Sequence, residues 1–402
     1  MKYCILLWVL LPLLSEAQPY LRLHKKSFVA DTHNDVPSAS IEKKVAFDTD
    51  LRGKTHSDLT RMFAGGLDAQ MFSIFCDGEQ TEPYQYANRE IDSVYEWVRR
   101  NPERMMLVQS PAQLQQAIRQ KKLAALLGVE GGHMIENEIA KLEALYNRGV
   151  RYLTITWNNS TAWATSAADE TSPNPSKGGG MNAEGKKGLT EFGRSVIKRM
   201  NELGMMVDVS HVGEQTFWDI VQVSSKPIIA SHSCVWTLCK HRRNLKDEQI
   251  KAIAKSGGVI FLNFYAGFID STYEHKRDVF LKQHQGEVDE LIKQGKQKEY
   301  ALMMVGDKYK DQLNVMRPPL AVLLNHLDYI VKLVGVDHVG LGSDFDGIEA
   351  PPLELDGVEN MPLITKALLE RGYSKKEIQK ILGGNFIRVF RSNCNEPANA
   401  IQ

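Results

Sequence analysis

The chain has no excess of charge of either sign, since its 402 residues include 49 basic and 49 acidic side chains. Proteins that bind nucleic acid through phosphate contacts carry a basic patch or stripe, and no segment of this sequence supplies one. The sequence also has no basic amphipathic helix of the kind that binds a membrane surface. We therefore expect neither nucleic acid nor a membrane surface as a partner.

Long hydrophobic runs are also lacking. The apolar segment 5–14 is too short for a bilayer, which needs about 20 residues. A lysine precedes it and small residues ending at Ala17 follow it, as in a secretory signal peptide. The polar segment 395–402 has no hydrophobic tail for a lipid anchor. We expect residues 1–17 to be a cleaved signal peptide and the mature chain, 18–402, to be exported to the periplasm or secreted, without a membrane anchor.

Cysteine is scarce, with five in the chain and one of them, Cys4, in the predicted leader. The remaining four are Cys76, Cys234, Cys239 and Cys394. Export permits disulfides, but the spacing selects no pairing, and Cys234 and Cys239 do not form a zinc-type Cys-x-x-Cys pair. The sequence therefore favours thiols that are free or casually paired.

Eight apolar segments rich in β-branched residues alternate with segments of helical character. Strands this apolar are buried on both faces, as in parallel sheets covered by helices. Eight strand-helix units predict an α/β fold of the (β/α)8 (TIM) barrel type, as a single domain over residues 18–402. A doubly wound open sheet is the alternative, weakened because no Gly-x-Gly-x-x-Gly turn follows the first strand. The predicted strands lie near 28–32, 69–75, 123–129, 151–156, 206–210, 227–231, 258–264 and 338–342.

Two segments interrupt the alternation. Residues 169–187 are rich in Gly, Pro, Ser and Lys and predict an exposed loop. Residues 270–317 are charged and mostly helical, and they form an insertion between the seventh and eighth predicted strands. We interpret this insertion as solvated helices, with a lid or the contact of a homodimer as alternatives. The helices predicted between the strands cover 90–100, 111–121, 139–148 and 190–203.

Side chains that can bind a metal follow several of the predicted strands. In a barrel, the C-terminal ends of the strands converge on one face, where catalytic residues come from different strands. A glutamate after a mostly apolar strand is costly to bury without a partner of opposite charge, and a metal ion supplies that charge. The candidate residues are His33, Asp35, Glu130, His211, His232 and Asp344.

The number of candidate ligands suggests two metal ions. Residues two apart in a strand point to the same side, so His33 and Asp35 can bind one ion together. His211 and His232 can bind the other ion, and Glu130 can bridge the two. Zinc suits imidazole and carboxylate ligands best, with manganese or iron as alternatives. Two zinc ions per chain would lower the pKa of bound water to about 7, which predicts a hydrolase.

Five short motifs carry these residues or stand near them: Gly128-Val-Glu-Gly-Gly-His, Asp208-Val-Ser-His211, Ala230-Ser-His232-Ser, Arg242-Arg-Asn-Leu and Gly342-Ser-Asp344-Phe-Asp-Gly. With them the sequence resembles the membrane (renal) dipeptidase family, peptidase family M19, in the form of an exported bacterial-type member. The resemblance extends over nearly the whole mature chain. It implies a metallo-dependent hydrolase barrel of the amidohydrolase-like class and the metal ligands assigned above, with Glu130 as the bridge.

The resemblance also implies roles for residues outside the metal ligands. Asp344 would lie beside the bridging water and carry a proton between hydroxide and the leaving amine. Arg243 would grip the substrate carboxylate, because a planar guanidinium pairs with it bidentately. A surface salt bridge is the alternative for Arg243. Tyr265 is a candidate for the substrate pocket and equally for an aromatic core position.

One departure from the family concerns the end of the fourth predicted strand. Many relatives carry a histidine there that helps to polarise the scissile carbonyl, and this chain has Trp157. An indole only donates one hydrogen bond and cannot replace an imidazole. Either Asn158 or Asn159 substitutes as a substrate-binding group, or the metals alone stabilise the oxyanion. His133 is either a partner that orients Glu130 or a structural residue.

These inferences predict a zinc-dependent dipeptidase in which a metal-bridging hydroxide attacks the peptide bond of small dipeptides. Two alternatives remain open at this point. One is another metal-dependent amidase or lactonase on the same barrel. The other is a non-catalytic exported binding protein with a degenerate metal site. The sequence does not select the stereochemistry of the substrate.

Overall fold

The structure of the chain, a computed structural model, describes residues 19–172 and 181–394. The predicted signal peptide, 1–17, and residues 173–180 of the predicted loop lie outside the described residues. All eight predicted strands overlap observed ones, and β3 is an additional short strand. The strands are β1 (Ala30–Asn34), β2 (Ala69–Phe75), β3 (Met105–Leu107), β4 (Leu123–Glu130), β5 (Val150–Thr154), β6 (Met206–Asp208), β7 (Ile229–Ala230), β8 (Val259–Leu262) and β9 (Val339–Leu341).

The sheet is parallel throughout and runs in the order β1-β2-β4-β5-β6-β7-β8-β9, with β3 paired to β4 off this path. Its two ends meet beyond β1 and β9, where the backbone of Asp344 donates to His33 O over 3.0 Å. Next to this bond, the backbone of Asp35 donates to Phe345 O over 2.9 Å. The sheet is therefore a nearly closed eight-stranded barrel, and the predicted (β/α)8 fold is confirmed.

Helices cover the barrel, and the local signals in the sequence explain where they begin and end. The Ser110 hydroxyl accepts the backbone N–H of Gln113 at the start of one helix. Gly204 ends another in the left-handed region, with φ of 82°. The α-helices outside the insertion are Pro19–Lys26, Val36–Lys43, Leu59–Ala64, Pro83–Arg100, Pro111–Gln120, Ile139–Asn147, Ala167–Thr171, Glu191–Leu203, Glu214–Val223, Asp247–Lys255, Ala266–Ile269, Leu320–Val334, Pro362–Glu370, Lys375–Gln379 and Asn385–Asn393.

Four further helices stand between β8 and β9, where the sequence predicts the insertion. They pack on one another through a small apolar core of Phe280, Val288, Ala301, Val305 and Leu313. The four helices are Tyr273–Gln283, Gln285–Lys293, Lys298–Lys308 and Lys310–Asn314.

The insertion also contacts the mouth of the barrel. Tyr300 and Met303 pack in one apolar cluster with Phe75 and Trp157. Phe75 is the last residue of β2, and Trp157 comes shortly after the end of β5. The hydroxyl of Tyr300 is hydrogen-bonded to Ser38. The helix Lys298–Lys308 is therefore more than a solvated appendage, because it forms part of the wall above the strand ends.

Three other features can be compared with the sequence expectations. The predicted loop 169–187 begins inside a short helix, where buried Asp169 accepts the backbone N–H of Ser160 over 2.6 Å. The thiols of the four described cysteines are free and buried. In the ranges that the structure describes, no helix combines the length and the apolar character needed to cross a membrane.

Candidate metal centre

The structure brings the six predicted metal-centre residues together at the C-terminal ends of the barrel strands. The course of the chain explains their positions. The His-Asn-Asp run stands at the end of β1, and β4 ends at Glu130. His211 and His232 come shortly after β6 and β7. All six side chains are buried or nearly so. The residues are His33, Asp35, Glu130, His211, His232 and Asp344.

The Glu130 carboxylate lies between two sets of ligand atoms. Its Oε2 atom is 3.4 Å from His33 Nε2. Its Oε1 atom is 2.8 Å from His211 Nε2 and 3.3 Å from His232 Nε2. The two oxygens of one carboxylate thus face opposite halves of the centre, which is the arrangement that a bridging ligand requires.

The other half of the centre is formed around His33. Its Nε2 atom lies 3.5 Å from Asp35 Oδ2 and 3.9 Å from Asp344 Oδ1. Both His33 Nε2 and Asp35 Oδ1 are buried and have no hydrogen-bond partner among the described residues. Unpaired buried polar atoms are costly, and a cation removes that cost. Imidazole nitrogens and carboxylate oxygens within 4.8 Å of one another fit a divalent metal of the zinc type.

Each of the three histidines has a hydrogen-bond partner on its other ring nitrogen. His33 Nδ1 is bonded to the Tyr152 hydroxyl over 2.8 Å, and His232 Nδ1 to the Ser231 hydroxyl over 2.8 Å. His211 Nδ1 donates to Asn158 Oδ1 over 3.3 Å. Such partners fix the orientation of the ring and leave Nε2 available as a ligand.

Tyr152 reaches His33 from inside the barrel because its neighbour on β4 is Gly128. A Cβ atom at Gly128 would lie 2.0 Å from the Tyr152 ring carbon that carries the hydroxyl. Only glycine therefore leaves room for this ring. A glycine inside a strand weakens it slightly, and here the space it leaves admits the Tyr152 ring, whose hydroxyl is hydrogen-bonded to His33.

A similar close approach occurs at Gly347, in the loop after β9. A Cβ atom there would lie 2.2 Å from Asp35 Oδ2 and 2.6 Å from Asp344 Oδ1. The backbone nearby is strained, since Asp344 has a φ of 62° and His211 a φ of 68°. Non-glycine residues adopt this left-handed conformation rarely, and they do so mainly at functional sites.

The two central acids have opposite protonation tendencies. Burial acts to raise the pKa of Glu130, but the three imidazoles around it hold that pKa well below its ordinary value. Burial raises the pKa of Asp344 well above its ordinary value, and the charges of Asp35 and Glu130 add to this effect. The Asn263 amide donates to Asp344 Oδ2 over 2.7 Å and fixes its orientation. The two carboxyl groups therefore differ, since Glu130 is ionised and Asp344 readily holds a proton.

A cavity of about 270 Å³ opens from the metal centre. Arg243 lines it, is only 4% exposed, and has no ion-pair partner among the described residues. Its Nη2 atom donates to His232 O over 3.2 Å, and the guanidinium lies 5.4 Å from the centre of the Phe268 ring. Burial lowers the pKa of Arg243 to about 10, so it remains a cation at neutral pH. An unpaired buried cation in a cavity is suited to an anionic ligand.

The remaining candidate residues divide into two groups. Tyr265, Asn158 and Trp157 line the cavity. The Tyr265 hydroxyl donates to Glu349 over 3.2 Å, so this residue is both a pocket and a core aromatic. His133 lies outside the cavity, within 3.2 Å of Cys76 O, and has no hydrogen bond to Glu130 in the described structure.

Sequence reasoning did not identify several residues that shape the site. Asn263 directly follows β8, but it lies inside the predicted strand 258–264, so the search for polar residues at strand ends missed it. Tyr152 is inside a strand and carries no comparable signal. Arg277 and Tyr300 belong to the insertion, and only the packing of its helices places them on the cavity wall.

The comparisons with known proteins find a family and several solved structures that this chain resembles. A family model described as membrane dipeptidase (peptidase family M19) matches residues 17–401. The structure of the probable dipeptidase PvdM from Pseudomonas aeruginosa is 25% identical, with 93% of this chain and 97% of that chain covered and a TM-score of 0.74. The structure of dipeptidase AC, a metallopeptidase of family M19, is 22% identical in sequence and has a TM-score of 0.73. The match covers 92% of this chain and 99% of that chain. A third structure is that of a metallopeptidase from Rhodobacter sphaeroides liganded with a phosphinate mimic of the dipeptide L-Ala-D-Ala. It is 22% identical, with 91% of this chain and 99% of that chain covered and a TM-score of 0.71.

Proposed function

The chain belongs to the membrane dipeptidase family, peptidase family M19, a family of metallo-dipeptidases, and we propose that it is an exported dipeptidase that uses two zinc ions. The observation that carries this proposal is the Glu130 carboxylate, which faces imidazole nitrogens on both sides through different oxygens. The fit of the leader sequence to a secretory signal supports export.

Five residues would hold the metals. His33 and Asp35 would bind one ion, His211 and His232 the other, and Glu130 would bridge them. When bound, such ions lower the pKa of water to about 7 and draw electron density from the scissile carbonyl. The chain supplies the geometry for this, because the partners of each histidine Nδ1 leave every Nε2 atom directed at the centre.

Arg243 would orient the substrate by binding its C-terminal carboxylate. The guanidinium is held between the His232 carbonyl and the Phe268 ring, so a carboxylate that pairs with it is positioned relative to His232. A planar guanidinium pairs bidentately with a carboxylate and thereby sets its direction as well as its distance. A dipeptide bound in this way would present its single peptide bond to the metal centre.

Asp344 would move the proton. Its raised pKa suits a group that accepts a proton from the attacking water and returns it to the leaving amine nitrogen. The hydrogen bond from Asn263 occupies Oδ2, which leaves Oδ1 facing the centre. At the position of the family's usual histidine, Trp157 offers an apolar wall against Phe75, with ring centres 5.0 Å apart. The side-chain oxygen of Asn158 is hydrogen-bonded to His211 Nδ1, so Asn158 would hold this proposed ligand in position.

The test is a panel of dipeptides assayed on the zinc-loaded protein. L-Ala-L-Ala, L-Ala-D-Ala and the C-terminal amides of both would be compared. We expect hydrolysis of at least one free-acid dipeptide and a loss of about 100-fold or more for its amide, because the amide leaves a buried cation unpaired. Equal turnover of acid and amide would favour a general amidase. No hydrolysis of any dipeptide at full metal loading would refute the proposal.

A further inference from the structure

A second cavity, of about 200 Å³, adjoins the one over the metal centre. The two cavities have His211, Arg242 and Arg243 in common, so these three residues form the partition between them. A substrate whose carboxylate is held by Arg243 therefore has further space next to that carboxylate. The C-terminal side chain of the substrate is the part of a dipeptide closest to this space.

Arg242 differs from the charged side chains that line only the second cavity. Lys246 is paired with Glu214 over 2.7 Å, and the second acid, Glu170, accepts the backbone N–H of Glu214 over 2.6 Å. Arg242 is exposed and forms no ion pair within residues 19–172 and 181–394. Its guanidinium is thus a cation that faces two cavities and is neutralised in neither.

The surroundings of Arg242 suit a short acidic side chain. Apolar groups from Val212, Trp236 and Leu245 line the second cavity and can contact methylene groups. His241, beside the two arginines, adds no charge, because burial and then the charges of Arg242 and Arg243 lower its pKa to about 3. Two adjacent guanidiniums thus stand together, one buried for a first carboxylate and one free for a second.

We propose that Arg242 forms a subsite for a second carboxylate, so that this protein prefers dipeptides whose C-terminal residue is aspartate or glutamate. The inference rests on the proposed function, since it places the α-carboxylate on Arg243. A side-chain carboxylate next to the α-carboxylate is then presented to the neighbouring guanidinium. Because Arg242 is exposed, water and salt weaken the pair, and we expect a preference of about fivefold over the uncharged isostere.

The experiment compares kcat/KM for L-Ala-Asp and L-Ala-Asn, each with the L and the D form of the C-terminal residue, and uses Ala-Ala as the reference. The expected result is an Asp-over-Asn ratio of about five or more in the wild type. Arg242→Gln should bring the ratio to about one and leave Ala-Ala turnover unchanged, while Arg242→Lys should keep part of the preference. A rise in KM, with kcat unchanged, is expected for Ala-Asp in Arg242→Gln.

The matched control is Lys240→Gln. Lys240 is exposed, two residues away, and lines neither cavity. Its ammonium lies 5.4 Å from the centre of the Trp236 ring, so its removal changes the net charge by the same amount and keeps every cation that lines the second cavity. The control should keep the preference. Three results would overturn the subsite and leave the proposed function intact. The wild type could hydrolyse Ala-Ala and show no Asp-over-Asn preference. The preference could also survive in Arg242→Gln, or disappear equally in Lys240→Gln. Absence of all dipeptide turnover would instead refute the proposed function and the subsite with it.

Discussion

His211 Nδ1 donates a hydrogen bond to Asn158 Oδ1 across 3.3 Å. This bond joins the loop after β5 to a proposed metal ligand that follows β6, and it gives Asn158 a role that the sequence did not suggest. The amide cannot act as an acid, but it can hold the imidazole in the tautomer that leaves Nε2 free. Asn158 would therefore contribute to the proposed centre through His211, and it directly follows Trp157 in the chain.

The first prediction concerns this bond. Asn158→Leu keeps the approximate shape and removes the acceptor, so we expect zinc affinity to fall by about 10- to 100-fold. The measurement is competition with a zinc chelator, read by metal content after dialysis. Asn159→Leu is the control, since the side-chain oxygen of Asn159 is buried without a hydrogen-bond partner in the described residues. Equal zinc affinity in Asn158→Leu and the wild type would contradict the assigned role.

A second prediction concerns the glycine beneath Tyr152. Gly128→Ala places a methyl group where the Tyr152 ring lies, so the ring must shift and release His33. We expect weaker zinc binding, again by about 10- to 100-fold, and the same direction for Tyr152→Phe, which removes only the hydroxyl. Gly286→Ala is the matched control, since a Cβ atom there meets nothing within 4 Å. Unchanged zinc affinity in both Gly128→Ala and Tyr152→Phe would show that this hydrogen bond does not matter.

A third prediction separates proton transfer from metal binding. Asp344→Asn removes the titrating group, keeps the size of the side chain and leaves the five proposed ligands intact. We expect normal zinc content and a fall in kcat of about 10²- to 10⁴-fold, the usual contribution of a general acid or base. Steady-state kinetics and metal analysis on the same preparation check this. A variant with near wild-type kcat would remove Asp344 from the mechanism.

A fourth prediction concerns stability and pH. His326 is buried, accepts the backbone N–H of Val235 and donates to Ile269 O. Burial lowers its pKa from 6.5 to about 4, so the unfolded chain binds the proton more readily than the folded one. The stabilisation is complete above about pH 6.5 and is lost as the pH falls toward 4, by about 3 kcal/mol for this group.

The check is denaturant unfolding of the wild type and of His326→Gln at pH 7 and pH 4.5. Glutamine can accept and donate the same two hydrogen bonds but does not titrate. Its free energy of unfolding should therefore fall less between the two pH values than that of the wild type. Since burial also lowers the pKa of His24, both proteins should keep some pH dependence. Identical losses in the two proteins would contradict the assignment to His326.

There is a physical reason why the barrel, and the candidate ligands at its strand ends, could be predicted from the sequence. Parallel strands buried on both faces are almost uniformly apolar, so a charged residue at the end of one is conspicuous, as with Glu130 at the end of β4. The short strand β3 escaped notice because it is only partly buried and three residues long. Three residues are too few to show the alternation of apolar and polar residues that indicates a half-buried strand.

The second layer of the site could not be predicted in the same way. Tyr152 lies in the interior of β5, where an aromatic residue is ordinary, and its role depends on the Gly128 that faces it from β4. Tyr300 reaches the cavity wall only through the tertiary packing of the insertion on Phe75 and Trp157. Such contacts arise between segments distant in the chain, and no local pattern encodes them.

The most direct test of the central claim is a zinc titration of the metal-free protein, followed by the rate of dipeptide hydrolysis. If Glu130 bridges two ions, activity should rise from zero and level off at two zinc ions per chain, and Glu130→Gln should stay inactive at every ratio. Full activity in the metal-free protein, a plateau at one ion, or an active Glu130→Gln variant would contradict a bridged two-zinc dipeptidase.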